Sequence, residues 1–323
     1  MIPPLSTRAG HDAAVRRLQS LTSQTAEVQE AISTGKTLAR PGDDPVAFAR
    51  AATLHRALGG GEVQRRTIDA AATRLSASES AIKAIADIAV RAKELALAGR
   101  NAALNSSDRA AMAAEVRELL ASARGLAEAR DADGQALFAG AAAAPSYGDA
   151  ADGLVAWAGL GGPPEIAIAG RRMATGLTGP EVFGETAPLP PADPNADPGA
   201  AAPPPPPRER NLFDSLAHLA ASLEEPRPAI FDAGMDDAIS AMDGHIDRLA
   251  TAQARLGARA ARLEAETSRL DASQLAIKTD LSRLEDTDMT DAIARLDRLS
   301  TILKAAQASF ARVSRLSLWD EMR

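Results

Sequence analysis

The sequence predicts a mainly α protein, in which N- and C-terminal arms form a long antiparallel helical bundle or coiled coil with a small β-rich insert in the middle. Apolar residues recur at helical spacing near both ends, while Gly and Pro accumulate in the central region. Of the 323 residues, 46% are hydrophobic but only 3% are aromatic. An apolar content made mostly of Ala and Leu favours closely packed helices over a thick aromatic core.

The sequence divides into four segments. Residues 1–140 are predicted to be an N-terminal helical arm, 141–186 the β-rich insert, 187–210 a Pro/Ala-rich linker or exposed loop, and 211–323 a C-terminal helical arm. The prolines of the linker prevent both regular helix and sheet pairing. Because the two arms flank the insert, we expect them to fold back on each other and share one bundle.

The N-terminal arm begins with a helix that is expected to end near Gly35. The apolar stripe of this helix consists of Val15, Leu18, Leu21, Val28 and Ile32. A turn of sequence Arg-Pro-Gly-Asp-Asp-Pro follows at residues 40–45. Asp44 can cap the next helix, and Pro45 can take its first position, where the missing N–H costs nothing. We therefore expect a second helix to start here.

That second helix soon meets three successive glycines, Gly59, Gly60 and Gly61, which predict a break or hinge. The helical period resumes over residues 68–95, and a further helix is expected to start at Ser106 or Ser107. The N-terminal arm is therefore predicted to be a helical hairpin or bundle.

The helical period is lost after Gly134. Short alternating segments at residues 154–157 and 165–169 predict strands. The glycine-rich run at 159–162 is followed by two prolines rather than by a helix, so it is interpreted as a turn and not as a phosphate-binding loop.

The C-terminal arm carries the clearest pattern. Asn211 is expected to cap a short helix, and over residues 239–284 an apolar or small residue then returns every three or four positions, which is typical of a coiled-coil seam. Its polar exceptions are Gln253, Thr267 and Gln274. Such a helix would be about 70 Å long at 1.5 Å per residue. After a pause at 285–288, the last helix is predicted to carry Ile293, Leu296, Leu299, Leu303, Ala306, Phe310 and Val313.

Charge and composition argue against several classes of function. Lys and Arg total 36 against 43 Asp and Glu, a formal net charge of −7, which disfavours nucleic acid and anionic membranes as partners. The absence of cysteine excludes disulfides, thiolate metal sites and thiol nucleophiles. Neither a signal peptide nor a membrane-spanning run is apparent, so we expect that any export bypasses the general secretory route.

Candidate catalytic and metal-binding groups are weak. The four histidines, which lie on different elements without the i, i+4 spacing of a helical metal pair, are interpreted as surface or packing residues: His11, His55, His218 and His245. Asp286, Asp288 and Asp291 lack the glycine and the glutamate of a calcium loop and are better explained as residues at a helix start. We predict no enzyme activity, no cofactor and no metal.

Several segments resemble the bacterial flagellin family. The most specific are Ser-Thr-Gly-Lys at 33–36 and Pro-Gly-Asp-Asp-Pro-Val at 41–46, which are similar to the Ser-x-Gly-Lys turn and Asp-Asp-Pro helix start of that family. The motif residues are Gly35, Lys36, Asp43, Asp44 and Pro45. Residues 134–140 resemble the Leu-Phe-x-Gly turn of the family, and residues 281–288 its C-terminal core.

Two further segments, at 179–184 and 211–216, resemble the hook–filament junction members of the family more than filament flagellins. The resemblance implies a structural subunit of the extracellular flagellum, exported by the flagellar type III route without a cleaved signal peptide. The implied partners are copies of the chain, the hook, the neighbouring hook-associated protein, flagellin and a cytoplasmic export chaperone. The resemblance also implies that the apolar residues of the terminal helices pack between subunits. The glycine triplet, the proline tract and the ending at 316–323 depart from the family pattern.

Three alternatives stay open. One is filament flagellin. A second, favoured by the seams alone, is a cytosolic coiled-coil scaffold, which would be a folded dimer with stable termini. The third is an enzyme carried by the insert, for which a ligand-dependent rise in melting temperature would be needed.

Overall fold

A computed structural model describes residues 5–38, 40–142, 145–149, 154–168, 170–185 and 210–321, with side chains between residues 9 and 312. The helices of these residues are α1 (Leu5–Thr34), α2 (Pro45–Gly99), α3 (Ser106–Ala127), α4 (Gly179–Phe183), α5 (Leu212–Leu223), α6 (Pro228–Glu285) and α7 (Met289–Glu321). The strands are β1 (Tyr147–Asp149), β2 (Val155–Trp157), β3 (Glu165–Ile168) and β4 (Arg171–Ala174). The prediction of a mainly α fold with a small β insert is confirmed. The linker prediction at 187–210 falls almost wholly outside the described residues.

The helix starts follow the predicted capping chemistry. Asp44 Oδ1 accepts hydrogen bonds from the backbone N–H of Val46 and Ala47, at 2.9 and 3.0 Å. Asn211 Oδ1 likewise accepts from Asp214 N at 2.8 Å, at the start of α5. Asp288 Oδ1 accepts from the first amides of α7, which confirms the capping interpretation for this residue. Each side chain satisfies N–H groups that have no partner within the helix.

The break predicted at the glycine triplet is wrong, whereas the alternative of a hinge stays a prediction; the boundary between two compact units of the chain falls directly after the triplet, between Glu62 and Val63. α2 runs from Pro45 to Gly99 through all three glycines. A glycine in a helix interior costs about 1 kcal/mol relative to alanine, and the core contacts of the flanking turns, such as those of Ala51 and Leu58, offset this cost. At Gly61 an added Cβ would lie 2.8 Å from Gln274 Nε2, whereas at Gly59 and Gly60 it would meet open space.

The chain forms two compact units, one of residues 1–62 with 271–323 and the other of residues 63–270. The second unit contains the larger core, to which both arms contribute. α2 supplies buried residues at heptad spacing, including Ile68, Leu75 and Ile82. α6 supplies the predicted seam, with Met242, Leu249, Leu256 and Leu263 all buried. A seam in which apolar residues repeat every 3.5 residues is typical of helices that pair in a left-handed coiled coil.

The insert consists of two antiparallel pairs, β1 with β2 and β3 with β4. Both predicted strand segments contain a strand, but β1 and β4 were not predicted, because neither shows an alternating apolar pattern. A cluster of rings packs beneath the insert: Phe138, Tyr147, Phe183 and Phe213, with centroids 4.8–5.8 Å apart. Four of the nine Phe, Trp and Tyr residues of the chain therefore lie where the insert meets its helices.

Candidate functional site

In the first unit, α1 packs along α7. Val28, Ala292 and Leu299 are buried between the two helices, and Leu21, Ile32 and Leu296 pack around them half-buried. On α7, residues 292, 296, 299 and 303 are spaced by four, three and four positions, so they form a narrow stripe that suits a two-helix seam. This pair is the part of the molecule in which the resemblance places subunit packing.

Five of the eleven predicted packing residues belong to the apolar cluster of this seam: Leu21, Val28, Ile32, Leu296 and Leu299. Phe310 of α7 also packs against His11 of α1, with ring centroids 4.9 Å apart. Val15, Leu18, Leu21, Ile32, Leu296, Leu303 and Phe310 are half-buried, whereas Val28 and Leu299 are buried. Ile293 is different: it is 49% exposed, because the neighbouring Ala292 takes the buried position in the register of α7. The side chain of Val313 lies outside the described residues. The seam therefore leaves many of its apolar side chains partly accessible to a further helix.

The motif residues Gly35 and Lys36 lie against the connection between α6 and α7. Gly35 has a φ of 70°, a backbone conformation that favours glycine. Its carbonyl accepts a hydrogen bond from Thr287 N at 2.9 Å, and Thr37 N donates to the Glu285 carbonyl at 2.7 Å. These bonds link the end of α1 to a segment that lies about 250 positions away in the sequence.

Glu285 is the charged centre of this junction. Its carboxylate, 9% exposed, accepts from Lys36 Nζ at 2.5 Å and from His55 Nε2 at 2.7 Å. Burial would raise the pKa of Glu285, but the hydrogen bonds from Lys36 and His55 outweigh it, and the pKa is lowered. The carboxylate is therefore held in its ionised form. This role of His55 and Glu285 could not be predicted from the sequence, because no sequence motif joins two residues so far apart.

The remaining motif residues act locally. Asp43 accepts a hydrogen bond from Arg40 N at 2.8 Å, and Arg40 also pairs with Glu30 at the end of α1. Asp44 caps α2, and Pro45 is its first residue. The structure thus brings Gly35 and Lys36 to the C-terminal arm, while residues 43–45 form the helix start. A polar groove of about 520 Å³ lies beside them, lined by Glu27, Lys36, Arg40, Asp288 and Arg295 among others.

The described residues were searched for side chains that could act in catalysis or bind a metal, and the Ser215–His245 pair is the strongest candidate for catalysis. Ser215 Oγ lies 2.9 Å from His245 Nε2, but both side chains are buried and the other ring nitrogen lacks a described hydrogen-bond partner. Burial, followed by the nearby Arg248, lowers the pKa of His245 to about 4. This pair is therefore a packed hydrogen bond of the core. The described part of the chain holds no group of three or more His, Cys, Asp or Glu side chains that could bind a metal. Within it, no helix combines the length and apolarity needed to cross a membrane.

Comparisons with known proteins agree with this architecture. Curated relatives include the flagellar hook-associated protein 3 of Escherichia coli (strain K12), 26% identical over 98% of both chains, and that of Salmonella typhimurium, 24% identical over 94% of this chain and 96% of the relative. Among solved structures, a putative flagellar hook-associated protein from Vibrio parahaemolyticus has a TM-score of 0.63 and 21% identity, and covers 76% of this chain and 100% of its own. Hook-associated protein-3 from Legionella pneumophila has a TM-score of 0.61 and 15% identity, with coverages of 72% and 98%.

Two family regions match the chain directly. Residues 5–143 match the bacterial flagellin N-terminal helical region, and residues 239–319 match the bacterial flagellin C-terminal helical region. Together these regions cover α1 to α3 and nearly all of the seam-forming parts of α6 and α7. The chain belongs to the bacterial flagellin family.

Proposed function

We propose that this chain is a structural subunit of the bacterial flagellum that joins the hook to the filament. The observation that carries the proposal is similarity from end to end: the hook-associated protein 3 of E. coli aligns over 98% of this chain, and therefore through the central region between the two flagellin regions as well. Filament flagellin is the alternative within the family. A cytosolic scaffold would give no reason for similarity over the whole length to a hook-associated protein.

The packing of the terminal helices supports an assembly role. A two-helix seam buries little apolar surface, and here most of its side chains stay half-exposed. Neighbouring subunits would bury the remaining apolar area, so that ordering of α1 and α7 is coupled to binding at the growing end. The contacts would be heterologous, joining one surface of a subunit to a different surface of the next. Such contacts build an open tube and require no catalysis.

The partners follow from this position. The subunit would contact copies of itself, the hook, the neighbouring hook-associated protein and flagellin. Before assembly, a cytoplasmic export chaperone would cover the C-terminal seam, because an exposed apolar stripe is an aggregation risk. Export through the flagellar channel would place the chain outside the cell without a cleaved signal peptide.

The location can be tested by immunogold electron microscopy of sheared flagella from the native host, with an antibody against residues 145–185 and a strain lacking the gene as control. Label confined to the boundary between hook and filament is the expected result. Label along the filament would identify filament flagellin instead. A cytoplasmic protein with unlabelled flagella would overturn the proposal and favour the scaffold.

The assembly mechanism has a separate test. Truncation after Ser300 removes Leu303 and Phe310 from the seam while leaving the core of residues 63–270 untouched. We expect a soluble chain with the helical content of the second unit that does not incorporate into flagella. Normal incorporation would show that the end of α7 is not required for subunit packing.

A further inference from the structure

The glycine triplet of α2 lies between two separate apolar clusters. On its N-terminal side is a small cluster around Ala51 and Leu281, to which Leu58 also belongs, and on its C-terminal side the larger core begins at Ile68. From Leu58 to Ile68 the helix rises about 15 Å, at 1.5 Å per residue. None of residues 59–67, all of which the structure describes, belongs to either cluster. Apolar packing therefore holds this stretch of α2 less firmly than the turns on both sides of it.

The partner helix has a matching gap. On α6, Leu270 packs against the larger core and Ile277 packs against the small cluster. The seam position between them is taken by Gln274, and a Cβ added to Gly61 would lie 2.8 Å from the Nε2 atom of this side chain. Gly61 is buried and Gln274 is half-buried. At this level the seam between α2 and α6 therefore consists of a glycine against an amide, where apolar side chains meet elsewhere.

Neither packing nor backbone conformation requires glycine at the first two positions of the triplet. A Cβ at Gly59 or Gly60 would meet open space, and none of the three glycines has a positive φ. What glycine adds here is backbone freedom, because it has more conformations to lose on entering a helix than alanine has. Sharp bends in helices have few causes, and adjacent small residues such as glycine are one of them.

We propose that Gly59–Gly61 is a hinge at which α2 bends while the apolar clusters on both sides stay packed. Bending loosens the helical hydrogen bonds that the carbonyls of the triplet accept, but it uncovers little apolar surface, because the nearest cluster side chains on α2 are Leu58 and Ile68. Gln274 can follow the movement, since its amide can bond to water in place of a fixed partner. Hinges of this kind concentrate the change in φ and ψ in a few residues. The inference goes beyond the proposed function and does not depend on it, because it concerns the single chain.

The absence of cysteine from the sequence allows spin labels to be placed in pairs on the purified full-length chain. Ala52→Cys with Ala70→Cys spans the triplet, and the control pair, Ser80→Cys with Ala98→Cys, spans a part of α2 without glycine; all four residues are exposed. The residues of both pairs are 18 positions apart, which is about five helical turns and about 27 Å. Pulsed electron paramagnetic resonance measures the distribution of distances between the labels. We expect the distribution across the triplet to be at least about twofold wider than that of the control pair.

Two further measurements identify the cause of the width. Adding Gly59→Ala and Gly60→Ala to the chain labelled across the triplet should narrow its distribution to within about a fifth of the control width, because alanine favours the straight helix. A third pair, Ala52→Cys with Thr279→Cys, joins exposed positions of α2 and α6 on the N-terminal side of the triplet. Its distribution should be as narrow as that of the control pair, because the small cluster stays packed.

Three results would overturn the hinge. The first is a distribution across the triplet as narrow as that of the control pair, and the second is a width that the two alanines leave unchanged. The third is a broad distribution for Ala52→Cys with Thr279→Cys, which would assign the width to unfolding of this end of α2. Each of these results would leave the proposed function standing, since the immunogold location is measured independently.

Discussion

Lys36 Nζ donates to the Glu285 carboxylate at 2.5 Å across 249 positions of the sequence. The contact joins a motif that follows α1 to the residue that ends α6. His55 of α2 shares the same carboxylate, so three segments of the first unit converge on one buried charge. Backbone hydrogen bonds of Gly35 and Thr37 to residues 285–287 join the same two segments. Closure of the first unit therefore depends on this junction.

Replacing the charge at the junction should loosen it. Glu285→Gln removes the charge that Lys36 and His55 share, and we expect a loss of about 1 kcal/mol in the free energy of unfolding. Urea unfolding measures the loss, and hydrogen exchange at the amides of Thr37 and Thr287 locates it. Asp280→Asn is the matched control, because Asp280 pairs at 3.6 Å with the exposed Arg283 on the same helix. Equal effects of the two variants would show that the junction has no special role.

The glycine triplet should respond position by position. Gly59→Ala and Gly60→Ala meet open space and should each stabilise α2 by about 1 kcal/mol. Gly61→Ala should gain less, because its Cβ would approach Gln274 Nε2 to 2.8 Å and this flexible side chain would have to move aside. Thermal or urea unfolding of the three single variants checks this order. An equal gain at all three positions would contradict the close approach.

Acid should destabilise the second unit through His245. The folded pKa of His245 is about 4 because the ring is buried, whereas an unfolded histidine titrates near ~6.5. Between these values the unfolded chain binds a proton that the folded chain does not, so stability is complete above pH ~6.5 and falls as the pH drops towards ~4.

Urea midpoints at pH 7.5, 6 and 5 measure this dependence. His245→Gln should flatten the decline, since glutamine does not titrate. Ser215→Ala is the matched variant: it removes the hydrogen bond to His245 Nε2 but keeps the buried ring, so the decline should persist. A decline of the same steepness in the glutamine variant would assign the acid sensitivity to other groups.

Arg74 should be important for holding the turn at residues 131–137, which precedes the insert. Its guanidinium forms an ion pair with Asp131. It also donates hydrogen bonds to the carbonyl oxygens of Ala136, at 2.7 Å, and Leu137, at 3.3 Å. Both charged side chains are close to fully buried. Arg74→Met leaves the Asp131 carboxylate buried without its cation and should cost about 3 kcal/mol of unfolding free energy.

The exposed pair of Arg124 with Asp149 gives the comparison. Arg124→Met should cost less than about 1 kcal/mol, because that ion pair is hydrated. The double variant Arg74→Met with Asp131→Asn should recover part of the loss by removing the unpaired charge. Urea unfolding of all three proteins tests the set, and an equal cost for Arg74→Met and Arg124→Met would exclude a special contribution of the buried pair.

Local patterns predicted most of the helical fold. The alternation of three and four residues from Met242 to Leu263 identified the buried face of α6, because that period is a property of the helix itself. The caps at Asp44 and Asn211 were predictable for a similar reason, since each side chain bonds amides two or three residues away. The error at Gly59–61 arose where core contacts override local propensity. Ile293 was placed on the seam because a single residue of register separates it from Ala292.

The sequence by itself determined the helical class, the faces of α1, α6 and α7 that become buried, the helix starts and the resemblance to flagellins. These features depend on residues within a few positions of one another, so the spacing of residues along the helix is enough to predict them. Only the tertiary structure decided that Lys36 and His55 meet Glu285, that α2 continues through its glycines, and that Gly61 lies against Gln274. Each of these depends on which distant segments pack together, and their pairing is set by the summed burial of many side chains rather than by any short motif.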